Sequence, residues 1–185
     1  MDLSKFKTSD WLKVGGAIAV LIGYFLDWTS IDCGGAPSSI CDNLNLSGSD
    51  FFFRGTLPWL LVLAVGILTF LMASAKMKAG ALPWPLIFLA ATGLATLLVF
   101  IYLIHPSYSG VTGVGRGIGA FLTFIGAAVA FAGAFIGFKE SGGDFNDLKD
   151  MNKIKGAFQG GGDSAPPPPP PPPGMTPPPP PPPPA

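Results

Sequence analysis

Charged residues are scarce in this chain, and they are missing from the cores of its four long apolar stretches. Only 12% of the 185 residues are Asp, Glu, Lys or Arg, while 49% are hydrophobic. Soluble domains carry about 25% charged residues, so this composition is too poor in charge for a water-soluble globule. A membrane-embedded enzyme or pump usually keeps an ionisable side chain at depth. The sequence shows none at depth, and we therefore predict a non-enzymatic integral membrane protein.

The chain also lacks an excess of basic charge and has few residues of the types that bind metals. Its 11 basic residues balance its 11 acidic ones, so no positive field attracts phosphates and we predict no nucleic-acid partner. The single histidine, His105, directly follows an apolar stretch, where an interfacial or hydrogen-bonded role is more common than a proton relay. The 2 cysteines have no histidine nearby; they make a poor zinc site, and no metal or cofactor is predicted.

Each of the four apolar stretches approaches the length of a membrane-spanning helix, which is about 20 residues. The predicted spans cover residues 11–28, 57–75, 82–104 and 117–138. The first has a short uninterrupted core, so we expect Lys13 to snorkel outward and Trp11 and Trp28 to lie at the interfaces. No small-x-small cleavage site follows it, which favours a permanent helix over a signal peptide. The predicted fold is an all-α, four-helix transmembrane bundle over residues 1–140.

Basic residues are distributed unevenly among the segments that connect the apolar stretches. Nine of them lie before or at the start of the first stretch, between the second and third stretches, or after the fourth. These are Lys5, Lys7, Lys13, Lys76, Lys78, Lys139, Lys149, Lys153 and Lys155. The other two connections hold only Arg54 and Arg116. Because lysine and arginine accumulate on the cytoplasmic side, both termini are predicted to be cytoplasmic. We expect a multi-pass protein of the plasma membrane.

Small residues form rows along the first and fourth stretches. At about 100° per residue, one side of the fourth stretch is small and the opposite side is rich in phenylalanine. The small side holds Gly119, Gly126, Ala130, Gly133 and Gly137, and the first stretch has a weaker row of Gly15, Ala19 and Gly23. Small residues let helix backbones approach closely. We predict that the first and fourth helices pack through these rows; homo-oligomerisation through the same groove is the alternative.

The outer connection over residues 29–56 contains both cysteines, Cys33 and Cys41. The turn-rich segment between them lets the two side chains meet, and the outer side of a membrane is oxidising, so a disulfide is predicted. The same connection carries Asp32, Asp42 and Asp50. These carboxylates are interpreted as solvated loop charges, with a weak calcium or polycation contact as the alternative.

The carboxyl-terminal part is polar and then low in complexity. Residues 141–160 contain a rough apolar stripe that predicts a short interfacial amphipathic helix. Residues 161–185 are predicted to be disordered, with proline blocks over Pro166–Pro173 and Pro177–Pro184. Each block adopts polyproline II, which docks into aromatic grooves with little loss of entropy, and two copies add avidity. The tail is therefore a candidate partner-binding segment; a solvated spacer is the alternative.

Two segments carry a resemblance to known sequences. The GYFLDW segment that ends the first stretch and the HPSYSGVTGVGRGIGAFLTFIGAAVAFAGAF segment around the fourth resemble small uncharacterised actinobacterial four-span membrane proteins. The layout is also similar to the mycobacterial proline-rich antigen family, in which the proline-rich part lies at the amino end. The resemblance implies a bacterial plasma membrane and an envelope-related role, and it implies no catalytic residue.

These observations favour a membrane adaptor or scaffold whose proline-rich cytoplasmic tail tethers a partner. An accessory subunit of a larger membrane complex, bound laterally through the glycine row or the phenylalanine side, is the alternative. A small channel or transporter is less favoured, because few polar side chains lie within the spans. The main ones are Thr69, Thr92, Thr96 and Thr123.

Overall fold

The computed structural model describes residues 6–31, 46–74, 83–106 and 113–143. The predicted Cys33–Cys41 disulfide and both proline blocks lie outside these residues, as does nearly all of the predicted interfacial helix.

The described part of the chain is mostly helical and contains four long helices. These are α1 (Thr8–Phe25), α2 (Leu57–Ala73), α3 (Trp84–Ile104) and α4 (Ile118–Glu140). Short 3-10 (Gly48–Asp50) and π-helical (Phe52–Thr56) segments precede α2. The sequence-based prediction of four helices is therefore confirmed. Two short strands, β1 (Thr29–Ile31) and β2 (Val114–Arg116), were not predicted, and they pair in antiparallel register.

Three of the described helical segments are long and apolar enough to cross a membrane. They are Phe52–Ala73, Trp84–Ile104 and Ile118–Glu140, of 22, 21 and 23 residues. At 1.5 Å per residue, such a helix matches a hydrocarbon core of about 30 Å. Helix α1 is not among them, because its first two turns contain Thr8, Ser9, Asp10 and Lys13. It begins earlier than predicted, since Asp10 accepts a hydrogen bond from the Lys7 amide at 3.3 Å and so satisfies a free donor of the first turn.

Helix α1 packs most extensively against α4, and it also contacts α2; α3 packs against α4 and α2. The centre of the bundle is a small-residue and valine core. It includes Val20, Val62, Ala95 and Ala127, all at 0% exposure. Because small side chains fill this core, the helices can approach closely, and dispersion contacts between backbones supply much of the packing.

The contact between α1 and α4 is antiparallel and is built on glycine. A Cβ added at Gly16 would lie 2.5 Å from the Gly126 carbonyl oxygen, and one added at Gly133 would lie 2.8 Å from the Ser9 carbonyl oxygen. Ala130 packs against Gly16, and Gly23 lies against Thr123 and Gly119. No side chain larger than hydrogen fits at these glycines without separating the helices.

Gly15, which was predicted to lie in this contact, does not. A Cβ added at Gly15 would have no neighbour within 4 Å among the described residues, and Gly16 takes its place against α4. The reason is geometric. A row with constant spacing of four drifts by about 40° per step around a helix, whereas alternating steps of three and four stay in line. Ala19 keeps a flanking contact, with its Cβ 2.9 Å from a Cβ added at Gly126.

An aromatic cluster closes the end of the bundle where α1 ends and α4 begins. Trp28 is fully buried there, and its ring contacts Tyr102 and Phe51 at centroid distances of 5.0 and 6.0 Å. Its indole Nε1 donates to the Gly23 carbonyl at 2.9 Å, and its own carbonyl accepts from the Tyr102 hydroxyl and the Gly117 amide. Trp28 is therefore buried inside this end of the bundle, and the expectation that it lies at a membrane interface stays a prediction.

His105 lies at the same end of the bundle, directly after α3. Its backbone carbonyl accepts a hydrogen bond from Arg54 Nη1 at 2.9 Å. The contact joins the end of α3 to the segment that leads into α2.

Candidate functional site

An open cavity of about 330 Å³ lies at the end of the bundle where α1 begins and α4 ends. We call this end the basic end, because Lys7, Lys13 and Lys139 lie there. The polar side chains that line the cavity are Lys7, Ser9, Asp10, Lys13, Glu140 and Ser141. All four helices contribute to its walls, so the cavity exists only in the folded bundle.

Asp10 and Lys13 form the most buried charged pair in the described part of the chain. Lys13 Nζ lies 2.9 Å from Asp10 Oδ1, and their side chains are 8% and 19% exposed. Asp10 occupies the first turn of α1, where the positive end of the helix dipole favours a carboxylate. A buried ammonium requires such a partner, since an unpaired charge away from water is strongly unfavourable.

Lys13 is buried within the end of the bundle and lines the open cavity, while the expectation that it snorkels toward the membrane interface stays a prediction. Its Nζ lies 5.5 Å from the centre of the Phe88 ring. Gly137 of α4 lies beside it, since a Cβ added there would be in ordinary van der Waals contact with Nζ at 3.6 Å. A signal for this orientation exists in the sequence: Ser9, Lys13 and Gly16 follow one another by steps of four and three, which places Lys13 on the face that packs against α4.

Glu140 connects the end of α4 to the start of α1. The Ser9 hydroxyl donates to Glu140 Oε2 at 3.1 Å, and Lys7 Nζ lies 3.8 Å from the same oxygen. The Lys7 and Glu140 side chains are 68% and 38% exposed, so this ion pair lies at the rim and is weak. A carboxylate at the carboxyl end of a helix is disfavoured by the helix dipole, which Lys7 offsets here.

The Lys13 ammonium is not saturated by its protein partners. An ammonium has three N–H donors. Among the described residues, Asp10 is the only acceptor within reach of Lys13 Nζ, and Phe88 offers only its ring face. Lys13 can therefore donate further N–H hydrogen bonds to a molecule in the cavity.

The remaining wall of the cavity is apolar. It consists of Met72, Trp84, Pro85, Phe88 and Ala134. The charged wall comes from α1 and α4, and the apolar wall comes mainly from α3. A site with one charged and one apolar side suits an amphiphilic ligand, because each part of such a molecule meets surface of its own kind.

The threonines within the spans do not form a polar path. Thr92, Thr96 and Thr123 donate their hydroxyls to the carbonyls of Phe88, Thr92 and Gly119, at 2.7, 2.8 and 2.8 Å. Each bond returns to the residue four positions earlier in the same helix, as is common for threonine in apolar helices. Thr69 is buried, and its hydroxyl has no partner among the described residues.

A second, apolar groove of about 220 Å³ runs along the outside of the contact between α1 and α2. Gly66 forms its floor, and a Cβ added there would lie 2.5 Å from the Ala17 Cβ. Ile18, Leu21 and Ile67 form its sides. The groove has no charged residue in its walls, so it offers only dispersion contacts.

The predicted packing residues and the charged cavity meet at Gly133 and Gly137, which contact Ser9 and Lys13. The predicted partner-binding prolines (Pro166, Pro173, Pro177 and Pro184) lie outside the described residues. The resemblance to actinobacterial four-span proteins stays a prediction. Comparison of the chain with protein-family models, with curated proteins and with solved structures finds no match.

Proposed function

We propose that the chain is a four-span plasma-membrane anchor whose cytoplasmic tail tethers a protein partner. In this proposal α1 is the fourth spanning helix. Its support is the apolar surface of α1, where Ile18, Ile22 and Phe25 are 53%, 51% and 70% exposed. Such a surface is unfavourable in water and favourable against lipid.

The observation that carries the proposal is the contact between the start of α1 and the end of α4. Ser9 and Lys7 both meet Glu140, so the segments before α1 and after α4 leave the bundle at one end. That end holds Lys7, Lys13 and Lys139, which by the positive-inside rule favours the cytoplasm. The proline-rich tail then extends from the cytoplasmic end of a closely packed bundle.

The interior of the bundle supports an anchor rather than a transporter. Its core consists of small side chains in contact, and three of the four intramembrane threonines bond to their own helices. The described residues form no polar path through the bundle, and the proposal assigns the interaction to the tail. Polyproline II is already extended, so binding an aromatic groove requires little ordering.

Labelling of single cysteines tests the topology. In a background with Cys33→Ser and Cys41→Ser, Ser49→Cys should react with a membrane-impermeant maleimide in intact cells. Ser164→Cys should react only after the membrane is permeabilised. Reaction of both positions from the same side would contradict the four-span arrangement.

Removal of residues 166–184 tests the tethering role. We expect the proteins that co-purify with the full chain, after crosslinking in native membranes, to be lost from the deleted chain. A matched control replaces both proline blocks with Gly-Ser sequence of equal length, which keeps the length of the tail but not its polyproline II conformation. Identical partner lists for all three proteins would show that the tail is only a spacer.

The apolar groove between α1 and α2 favours a second candidate function, that of an accessory subunit in a larger membrane complex. The glycine row of α4 is not available to such a partner, because α1 of the same chain already packs against it. The phenylalanine side of α4 is partly used as well, since Phe124 stacks on Phe100 at 5.7 Å and Phe131 lies over Gly93. A lateral partner would therefore bind at the α1–α2 groove, and photo-crosslinking from Ile67 would identify it.

A further inference from the structure

We propose that the cavity at the basic end binds the headgroup of a zwitterionic aminophospholipid, of which phosphatidylethanolamine is the simplest example. The inference rests on the proposed function in one respect, namely that the basic end lies at the cytoplasmic leaflet. The ligand class follows from the charges, the open donors and the apolar wall of the cavity.

The charged side chains of the cavity sum to zero, so the cavity suits a ligand that also carries one positive and one negative group. Lys7 and Lys13 supply two ammonium groups, and Asp10 and Glu140 supply two carboxylates. The available N–H donors of Lys13 meet the lipid phosphate, with Lys7 at the rim as a second cation. Glu140, whose Oε2 is 3.8 Å from Lys7 Nζ and 38% exposed, accepts N–H donors from the lipid ammonium.

A ligand of a single charge sign fits this arrangement less well. An anionic lipid or a free phosphate would meet Lys7 and Lys13, but it would compete for them with Asp10 and Glu140 and would bring no cation of its own to replace these contacts. Like charges within a partly buried site repel, and this repulsion works against a partner that lacks an ammonium group. The pair of carboxylates is thus the feature that selects a zwitterion.

The apolar wall explains why the ligand is a lipid rather than a small zwitterion from solution. Trp84 and Phe88 line the cavity from α3, and Met72 lines it from α2. The start of α3 places Trp84 where an indole ring prefers the boundary between headgroups and acyl chains. A volume of about 330 Å³ lies at the small end of ligand sites, so it accommodates a headgroup while the acyl chains remain in the bilayer.

Lipid binding to the full chain in detergent tests the proposal. Native mass spectrometry would compare phosphatidylethanolamine with phosphatidylcholine and phosphatidylglycerol of the same acyl chains. Phosphatidylcholine is also zwitterionic but its quaternary ammonium has no N–H donors, and phosphatidylglycerol is anionic. Only phosphatidylethanolamine can donate an N–H from an ammonium group to the Glu140 carboxylate. We therefore expect it to bind about tenfold more tightly than either of the other lipids.

Two rim variants assign the contacts without removing the buried pair. Glu140→Gln should lower the affinity for phosphatidylethanolamine about tenfold and that for phosphatidylcholine by at most about threefold, because the quaternary ammonium loses only a Coulomb attraction and no hydrogen bond. Lys7→Gln should lower the affinity for both zwitterionic lipids by about threefold, as for an exposed ion pair. Lys139→Gln is the matched control: Lys139 is exposed and does not line the cavity, so binding should not change.

Equal affinity for the three lipids, preference for phosphatidylglycerol, or insensitivity to both rim variants would each overturn the proposal. The tail deletion is expected to leave lipid binding unchanged, because the proposed contacts are made by described residues at the ends of α1 and α4. A negative lipid-binding result would therefore not contradict the tethering role. Partner recovery that is unaffected by the tail deletion would likewise not contradict the lipid site.

Discussion

Replacing Gly16 by leucine is expected to break the contact between α1 and α4, while the same replacement at the adjacent Gly15 is tolerated. A Cβ at Gly16 would already lie 2.5 Å from the Gly126 carbonyl oxygen and 2.6 Å from the Ala130 amide nitrogen. These are backbone atoms and cannot rotate away. Overpacking of a core commonly destabilises by about 1–3 kcal/mol, and we expect Gly16→Ala to fall in this range and Gly16→Leu to exceed it.

Gly15 is a closely matched control, because it is also a glycine and lies next to Gly16 in the same helix. No described heavy atom lies within 4 Å of a Cβ added there. Leucine favours a helix over glycine by roughly 0.8–1 kcal/mol, so Gly15→Leu should be neutral or stabilising. The measurement is the midpoint of thermal unfolding of the purified chain in detergent. Equal losses at the two positions would mean that α1 presents a different face to α4.

Replacing Lys13 by methionine is expected to destabilise the bundle by about 3–5 kcal/mol, because it leaves the Asp10 carboxylate buried without its partner. Lys13 and Asp10 are 8% and 19% exposed, and their charged atoms lie 2.9 Å apart. Adding Asp10→Asn should restore most of the loss, since the double variant removes the unpaired charge. An exchange of a buried ion pair for uncharged groups is often close to neutral.

Lys7→Met is the matched control for this prediction. Lys7 makes the same kind of contact, 3.8 Å from Glu140, but its side chain is 68% exposed. An exposed pair contributes at most about 1 kcal/mol, so the unfolding midpoint should move little. The comparison is made in detergent without added phospholipid, so that a ligand in the cavity does not stabilise one variant more than another. Equal losses for Lys13→Met and Lys7→Met would contradict the inward orientation of Lys13.

The four helices and the small row of α4 could be predicted because they depend on local composition and on the period of a single helix. Gly119, Gly126, Gly133 and Gly137 line one side of α4 whatever the neighbour is, and apolar runs of this length favour helix in any apolar medium. The uneven distribution of lysine is likewise a property of the chain alone. It marks the basic end before any contact is known.

The partner of each helix face, in contrast, was decided by tertiary structure. Periodicity defines the faces of α1 but not its rotation against α4, so Gly15 and Gly16 could not be told apart with certainty from the spacing of one helix. The same rotation turns Lys13 inward and so creates the charged cavity. Trp28 is followed directly by β1, whose pairing with β2 joins Thr29 to Arg116 although the two are far apart in the sequence. Such long-range pairing leaves no signal in either three-residue strand, because its hydrogen bonds come from the backbone rather than from particular side chains.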